Sequence, residues 1–343
     1  SFPIGGMENP RLTFATPTII AGDRSLVNLI AHELAHSWSG NLVTNATWED
    51  IWMNEGFTVY FERRITEAMT DKSYADMLWE LGYQDLEAEV ADMGPDHRNT
   101  WLKQHLEGVD PDEGLSDIPY EKGALFLWLI ERQVGRERFD AFLTQYFDAH
   151  AFKTISTEQF LVWLEKHLIR GDSSLRRSLD IPAWVYGPGI PANAPRADQE
   201  RFRKVDSARE AFLAGTAPEL LPTQSWSTHE WLHFLRKMPR PLSVTQMATL
   251  DKAFQFTRTG NSEIADLWFI MAVAADYQTA YPAMEVFLSS VGRRKFLEPL
   301  YREMIKSGKQ EMARTIYQKY RMNYHPLAQG TMDRIVLGKE NAE

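Results

Sequence analysis

A mainly α fold in two domains is predicted by three features of this chain. Apolar residues recur at helical spacing from about Asp23 onward, strand-like alternation is confined to residues 11–20, and Pro and Gly cut the second half into helical stretches of about 10 to 17 residues. At 343 residues there is room for two substantial cores. Cysteine is absent, so neither a disulfide framework nor a thiolate metal site is available, and any metal ligand must be nitrogen or oxygen.

The first element is a strand over residues 11–20, where β-branched and apolar residues alternate. A helix follows, with Asp23 as its N-cap, an apolar run from Ser25 to Ala31, and Gly40 as its stop. A second helix is expected over residues 50–70, placing Glu55, Thr58, Val59 and Glu62 on one face. Further helices with apolar stripes are expected near residues 73–92, 120–133, 136–149 and 157–168. The loop from about Asp92 to Pro119 is long enough to suggest function, and it carries Asp112 and leads to Tyr120. Repeated Pro and Gly from Gly187 to Pro195 prevent regular structure and mark a boundary, giving domains at 1–187 and 198–343 joined by a linker at 188–197. Beyond it, breaks at Pro218, Pro222, Pro239, Pro241, Gly260, Pro282, Gly292 and Gly308 separate stacked helix pairs. Trp128 and Trp268 lie in apolar stripes and are expected in cores, whereas Trp48 and Trp52, close to Glu55, suit either a cleft wall or packing.

The chemistry is concentrated in His32-Glu33-Leu34-Ala35-His36 and, eighteen residues later, Asn54-Glu55-Gly56. Residues four apart share a helix face, so His32 and His36 can aim at one metal ion, with Glu55 as a third ligand from the next helix. Two imidazoles and one carboxylate leave a tetrahedral position open for water, as in a catalytic zinc site. Glu33, beside the pair, is then placed to take that water's proton. The pattern occurs twice, the second time as His229-Glu230-Trp231-Leu232-His233. There no Asn-Glu pair follows, Lys252 stands at the spacing of the third ligand, Pro239 ends the helix early, and Trp231, Leu232, Phe234 and Leu235 read as packing residues. A structural role is expected for the second copy.

Upstream lies Gly5-Gly6-Met7-Glu8-Asn9-Pro10. Together with His32-Glu33-x-x-His36 and Glu55 it resembles the gluzincin aminopeptidases with a Gly-x-Met-Glu-Asn motif, and within them the leukotriene A-4 hydrolase and aminopeptidase B branch. The likeness runs through Leu12-Thr13-Phe14, Thr16-Pro17-Thr18, Gly40 to Asn45, Pro119-Tyr120-Glu121-Lys122-Gly123, Gly292 to Phe296 and His325-Pro326, and so covers nearly the whole chain. It implies a thermolysin-like catalytic domain, represented by its helical part and an edge strand, followed by an α-helical superhelical domain of the armadillo or HEAT kind. It implies one Zn2+ per chain on His32, His36 and Glu55, with Glu33 as base and Tyr120 stabilising the oxyanion. Gly5, Gly6, Met7 and Glu8 would bind substrate, Glu8 taking the free α-amine, which suits a carboxylate paired with a cation at fixed distance from the scissile bond. Asp112 would line the pocket, and Arg293 and Lys295 would anchor a terminal carboxylate.

The expected activity is a zinc aminopeptidase acting on short peptides with a free N-terminus. The alternatives are a lipid epoxide hydrolase using the same zinc and a non-catalytic helical binding scaffold. Leu115 stands where the leukotriene enzyme has tyrosine and Ile4 where it has an aromatic, departures that weigh against the epoxide reaction. Residues 1–196 carry 17 Lys and Arg against 30 Asp and Glu, while residues 197–343 carry 20 against 17. An acidic first half favours cationic amine ends, and the balance argues against nucleic acid as a partner. No apolar run is long enough for a membrane span. Ser1-Phe2-Pro3 resembles neither a signal nor a natural start, and the resemblance implies an upstream domain of the same protein that packs against this chain. A cytoplasmic location is the expectation, with a periplasmic one left open.

Overall fold

The computed structural model describes residues 2–108 and 116–338. The chain divides into two compact units, one formed by Ser1–Met7, Phe14–Leu29 and Glu200–Glu343, the other by Glu8–Thr13 and Ile30–Gln199. Both are mainly helical, as expected.

The strand expected over residues 11–20 is reduced to Phe14–Ala15 (β2), which pairs antiparallel with Gly6–Met7 (β1). Pro17 has no N–H to give a ladder, and it opens a 3-10 turn, Pro17–Ile19, capped by Thr16. The helix carrying the first motif, α1 (Val27–Ala35), is also shorter than expected at both ends. Asp23 does not cap it but closes a turn on the N–H and hydroxyl of Ser25.

In the second unit, α2 (Trp52–Met69) and α3 (Lys72–Met93) match the expected helices, and Asp71 caps α3 by accepting from Tyr74 N at 2.9 Å. The start of α2 is clamped by Asp50, which is fully buried. Its carboxylate accepts from Lys103 Nζ at 2.6 Å, from Thr157 N and Oγ1 at 2.9 and 2.7 Å, and from Thr47 Oγ1 at 2.7 Å. Burial pushes this carboxyl up, but Lys103 and the donors from Thr157 and Thr47 hold it below its usual range. A π-helical turn, Ile118–Lys122, runs directly into α4 (Gly123–Val134), followed by α5 (Arg136–His150) and α6 (Thr157–Leu164). The short strands β3 (Val43–Asn45) and β4 (Lys153–Ile155) pair in parallel. Trp52, Phe57, Tyr60, Phe126, Phe139, Tyr146 and Phe160 form an aromatic core at the centre of the unit. Trp52 is thus a packing residue, donating its Nε1 to Thr157 Oγ1 at 2.9 Å, while Trp48 is 53% exposed. Two short helices, α7 (Ser173–Leu179) and α8 (Ile181–Val185), follow in this unit, and the Pro/Gly segment after them is tied in by Gly189 N, which donates to Thr100 Oγ1, and by Asn193 Oδ1, which accepts from Trp184 Nε1.

The other unit holds α9 (Glu200–Leu213), α10 (Thr228–Arg236), α11 (Val244–Phe254), α12 (Ser262–Ala274), α13 (Tyr281–Ser290), α14 (Arg294–Lys306), α15 (Gln310–Tyr320) and α16 (Pro326–Leu337). Helices α10, α12, α14 and α16 pack in succession as one layer, and α13 and α15 pack on each other beside it. Trp268 is fully buried in this stack. The second histidine motif lies on α10 and is spent on packing. Glu230 closes a capping box with Ser227 and pairs with Arg201, and His233 stacks on Phe202 at 4.1 Å and meets Asp206 at 3.2 Å. Among the described residues no helix is long and apolar enough to cross a membrane.

Candidate metal centre

The first motif delivers its side chains as the spacing requires. His36 lies one residue past the end of α1, yet its N–H still donates to His32 O at 3.2 Å, which preserves the i, i+4 relation. The two Nε2 atoms are 3.2 Å apart, and Glu55 Oε2, from the first turn of α2, is 3.3 Å from that of His32 and 3.6 Å from that of His36. Ligand atoms about 2.0–2.1 Å from a tetrahedral ion stand roughly 3.3 Å from one another. The triangle therefore has the edge lengths of one face of such a site.

The outward nitrogens fix the tautomers. His36 Nδ1 faces Ser39 O and Asn54 Oδ1, both at 2.9 Å, and these can only accept, so Nδ1 carries the proton. Thr58 Oγ1 is 3.0 Å from the same nitrogen and donates to Ser39 O. His32 Nδ1 faces Glu62 Oε2 at 3.2 Å. With a metal bound, each Nε2 can therefore turn a lone pair inward, toward the ion it would share with Glu55 Oε2, a buried oxygen that lies 3.3 Å from His32 Nε2. Three electron-rich atoms converging in a buried site are a donor set for a cation, and their mix of imidazole and carboxylate suits zinc. The charge of the surroundings points the same way. Burial lowers His32, but hydrogen bonds and charge from Glu55 and Glu62 overcome it and raise the imidazole to about 10.

Glu33 is 6% exposed, and its Oε2 is buried without a partner among the described residues. Burial pushes it up to about 7 against the pull of His32, with Glu8, Glu55 and Glu62 adding to the rise. Glu8 and Glu33 also converge on His36, with donor atoms of the three residues within 4.8 Å of one another. Tyr120 stacks against His32 with ring centroids 6.2 Å apart. Burial, then the charges of Glu55, Glu8, Asp117 and Glu33, hold its phenol well above the usual range, so it stays a hydrogen-bond donor at neutral pH.

His32, Glu33, His36, Glu55, Glu8 and Tyr120 thus gather in one unit. Gly5, Gly6, Met7, Arg293 and Lys295 belong to the other. There Gly5 O accepts from Thr16 N at 2.9 Å, and a Cβ on Gly5 would stand 2.9 Å from Arg293 Nη2. Arg293 and Lys295 both reach Glu263, at 3.5 and 2.8 Å. Asp112 and Leu115 lie outside the described residues. The sequence singled out no role for Ser39, Asn41, Asn54 or Thr58, although Asn54 adjoins Glu55 and Thr58 follows it at helical spacing.

Residues 1–179 match the peptidase family M1 domain, and residues 226–336 match the C-terminal domain of leukotriene A4 hydrolase. A leucine aminopeptidase 2 of Sclerotinia sclerotiorum is 38% identical over 340 residues, covering 97% of this chain and 56% of that protein. A leukotriene A-4 hydrolase homolog of Botryotinia fuckeliana is 38% identical over 341 residues, covering 97% of this chain and 52% of that protein. The chain therefore spans about half the length of the curated relatives it matches. A solved structure of yeast LTA4 hydrolase in complex with bestatin superimposes with a TM-score of 0.87 at 32% identity, covering 98% of this chain and 58% of that one.

Proposed function

The chain belongs to peptidase family M1, and from that membership we propose that it carries the zinc site of an aminopeptidase that removes N-terminal residues from short peptides, with one zinc per chain. The observation that carries this reading is the triangle of His32 Nε2, His36 Nε2 and Glu55 Oε2, with Glu8, Glu33 and Tyr120 gathered about it. Bound zinc supplies a Lewis acid that polarises the scissile carbonyl and lowers the pKa of water to about 7.

The chain's own residues do the rest. Glu33, whose carboxylate has a free oxygen and is held near neutrality, accepts a proton from the attacking water and returns it to the leaving amine. Tyr120 donates to the oxygen on which charge develops. Glu8 pairs with the α-ammonium group and sets the distance from chain end to scissile bond, making the enzyme an exopeptidase. Glu62, Asn54, Ser39 and Thr58 hold the two imidazoles in their tautomers.

The likeness to leukotriene A4 hydrolase favours the epoxide hydrolase reading no more than the aminopeptidase one, and Asp112 and Leu115, on which the epoxide reading turns, lie outside the described residues. The scaffold reading leaves the buried oxygen of Glu33, which has no hydrogen-bond partner among the described residues, without a use.

The test is metal content together with hydrolysis of aminoacyl anilides, each also presented with its amine acetylated, for the zinc-loaded protein and Glu33→Gln. Expected are about one zinc per chain in both proteins, turnover that acetylation abolishes, and a loss in the variant of about 10² to 10⁴-fold. Turnover indifferent to acetylation would sink the aminopeptidase reading.

A further inference from the structure

Asn54 occupies the first turn of α2, 8% exposed, immediately before Glu55. Its planar amide joins two functional groups. Oδ1 accepts from His36 Nδ1 at 2.9 Å, and Nδ2 donates to Glu8 Oε1 at 3.4 Å. The orientation is dictated by chemistry, because turning the amide over would set NH2 against an N–H and a carbonyl oxygen against a carboxylate.

The two contacts differ in how replaceable they are. His36 Nδ1 also has Ser39 O at 2.9 Å and Thr58 Oγ1 at 3.0 Å, so the imidazole keeps partners without Asn54. Glu8 has fewer. No lysine or arginine among the described residues pairs with it, and its remaining contacts are His36 Nδ1 at 3.9 Å and, on its backbone oxygen, Asn41 Nδ2 at 2.9 Å. The loop before Asn41 is shaped around the amide. Gly40 adopts φ +120°, and a Cβ there would fall 2.7 Å from Asn54 Oδ1 and 3.2 Å from His36 Nδ1.

We propose that Asn54 is a positioning residue for the substrate's α-amine, its amide fixing Glu8 Oε1 against the metal ligand His36 so that the other carboxylate oxygen is presented at a set distance from the metal. A neutral donor suits this task. It orients the carboxylate without cancelling the charge that the ammonium group must meet, as a lysine would. The proposal rests on the amine-binding reading of Glu8 given above.

The test reads binding by calorimetry, using L-leucinol and its N-acetyl derivative as unhydrolysed probes on the zinc-loaded protein. Wild type is compared with Glu8→Gln, Asn54→Ala and the double variant, with zinc content and melting temperature recorded for each. Asn54→Ala is expected to keep its zinc and to weaken L-leucinol about tenfold or more, leaving the acetylated probe unchanged. The double variant is expected to be no weaker than Glu8→Gln alone, because Asn54 acts through Glu8. If Asn54→Ala does not fold, Asn54→Leu, which keeps the volume of the amide, is scored in the same way.

Two results would overturn the proposal on its own account. One is L-leucinol affinity unchanged in Asn54→Ala while Glu8→Gln loses it; the other is a full additive loss in the double variant. Unchanged affinity in Glu8→Gln would bring down the amine-binding reading and this inference with it, an outcome the first two cannot imitate.

Discussion

Lys122 shows how much a single buried side chain contributes to holding the site. It ends the π-helical turn that carries Tyr120, is fully buried, and donates to Thr100 O and Gly187 O, both at 2.8 Å. A neutral amine has two N–H bonds, and two carbonyls await them. Burial alone pushes this lysine from its ordinary 10.5 down to about 7. Between those values the unfolded chain holds a proton that the folded chain has released, so this residue's contribution to stability rises with pH across the window and is smallest below it. Lys122→Met should cost about 2–4 kcal/mol by stranding two buried carbonyls. It should also flatten the rise in stability between pH 7 and 10 relative to wild type, as measured by urea unfolding at several pH values. Parallel profiles for the two proteins would show that the buried amine is not the titrating group.

At the scale of elements, the site depends on two helices that meet backbone to backbone. A Cβ on Gly56, next to Glu55, would lie 2.8 Å from Gly123 Cα and 3.0 Å from Pro119 O. Only glycine therefore lets α2, with its ligand, lie directly against the turn that bears Tyr120. Gly82 on α3 plays a similar part, because a side chain there would collide with Glu121, which pairs with Arg63 at 2.9 Å. Gly56→Ala should cost about 1–3 kcal/mol through overpacking and should lower turnover by shifting Tyr120. Gly330→Ala, in the open on α16, should instead gain up to about 1 kcal/mol with turnover unchanged. Denaturant unfolding and anilide hydrolysis of the two variants check both statements. This contact also shows what the sequence could convey. Helices of 3.6-residue period were legible, and so was the convergence of His32, His36 and Glu55, because helical spacing places the two histidines on one face and the next helix begins shortly after them. The π-helical turn against Gly56 and the link from Asn54 to Glu8 were not, since they involve segments far apart in the chain, whereas the end of the strand at Pro17 has a local cause, the missing N–H, that residue alternation does not convey.

Over the whole molecule, charge and metal are linked. Residues 1–196 hold 30 of the 47 acidic residues, and four of them, Glu8, Glu33, Glu55 and Glu62, surround His32 and His36. A cation belongs among them, and in its absence a proton on His32 can take its place. That imidazole is raised from 6.5 to about 10 when no metal is present, after burial is outweighed by hydrogen bonds and charge from Glu55 and Glu62. A raised folded pKa contributes stability in full below about 6.5 and loses it as pH climbs toward 10. Zinc bound only by the folded chain stabilises by RT ln(1 + [Zn]/Kd), about 4 kcal/mol at a thousandfold excess over Kd. Stripping the metal should therefore lower the melting temperature by several degrees, and by more at pH 9 than at pH 6, because the substitute proton is being lost over that interval. Scanning calorimetry with and without a chelator reads both effects. Glu55→Gln, which removes the ligand charge, should respond weakly to the chelator at either pH. A wild-type protein whose chelation shift is the same at pH 6 and pH 9 would mean that no proton replaces the metal, and that the carboxylates around His32 are neutralised elsewhere in the fold.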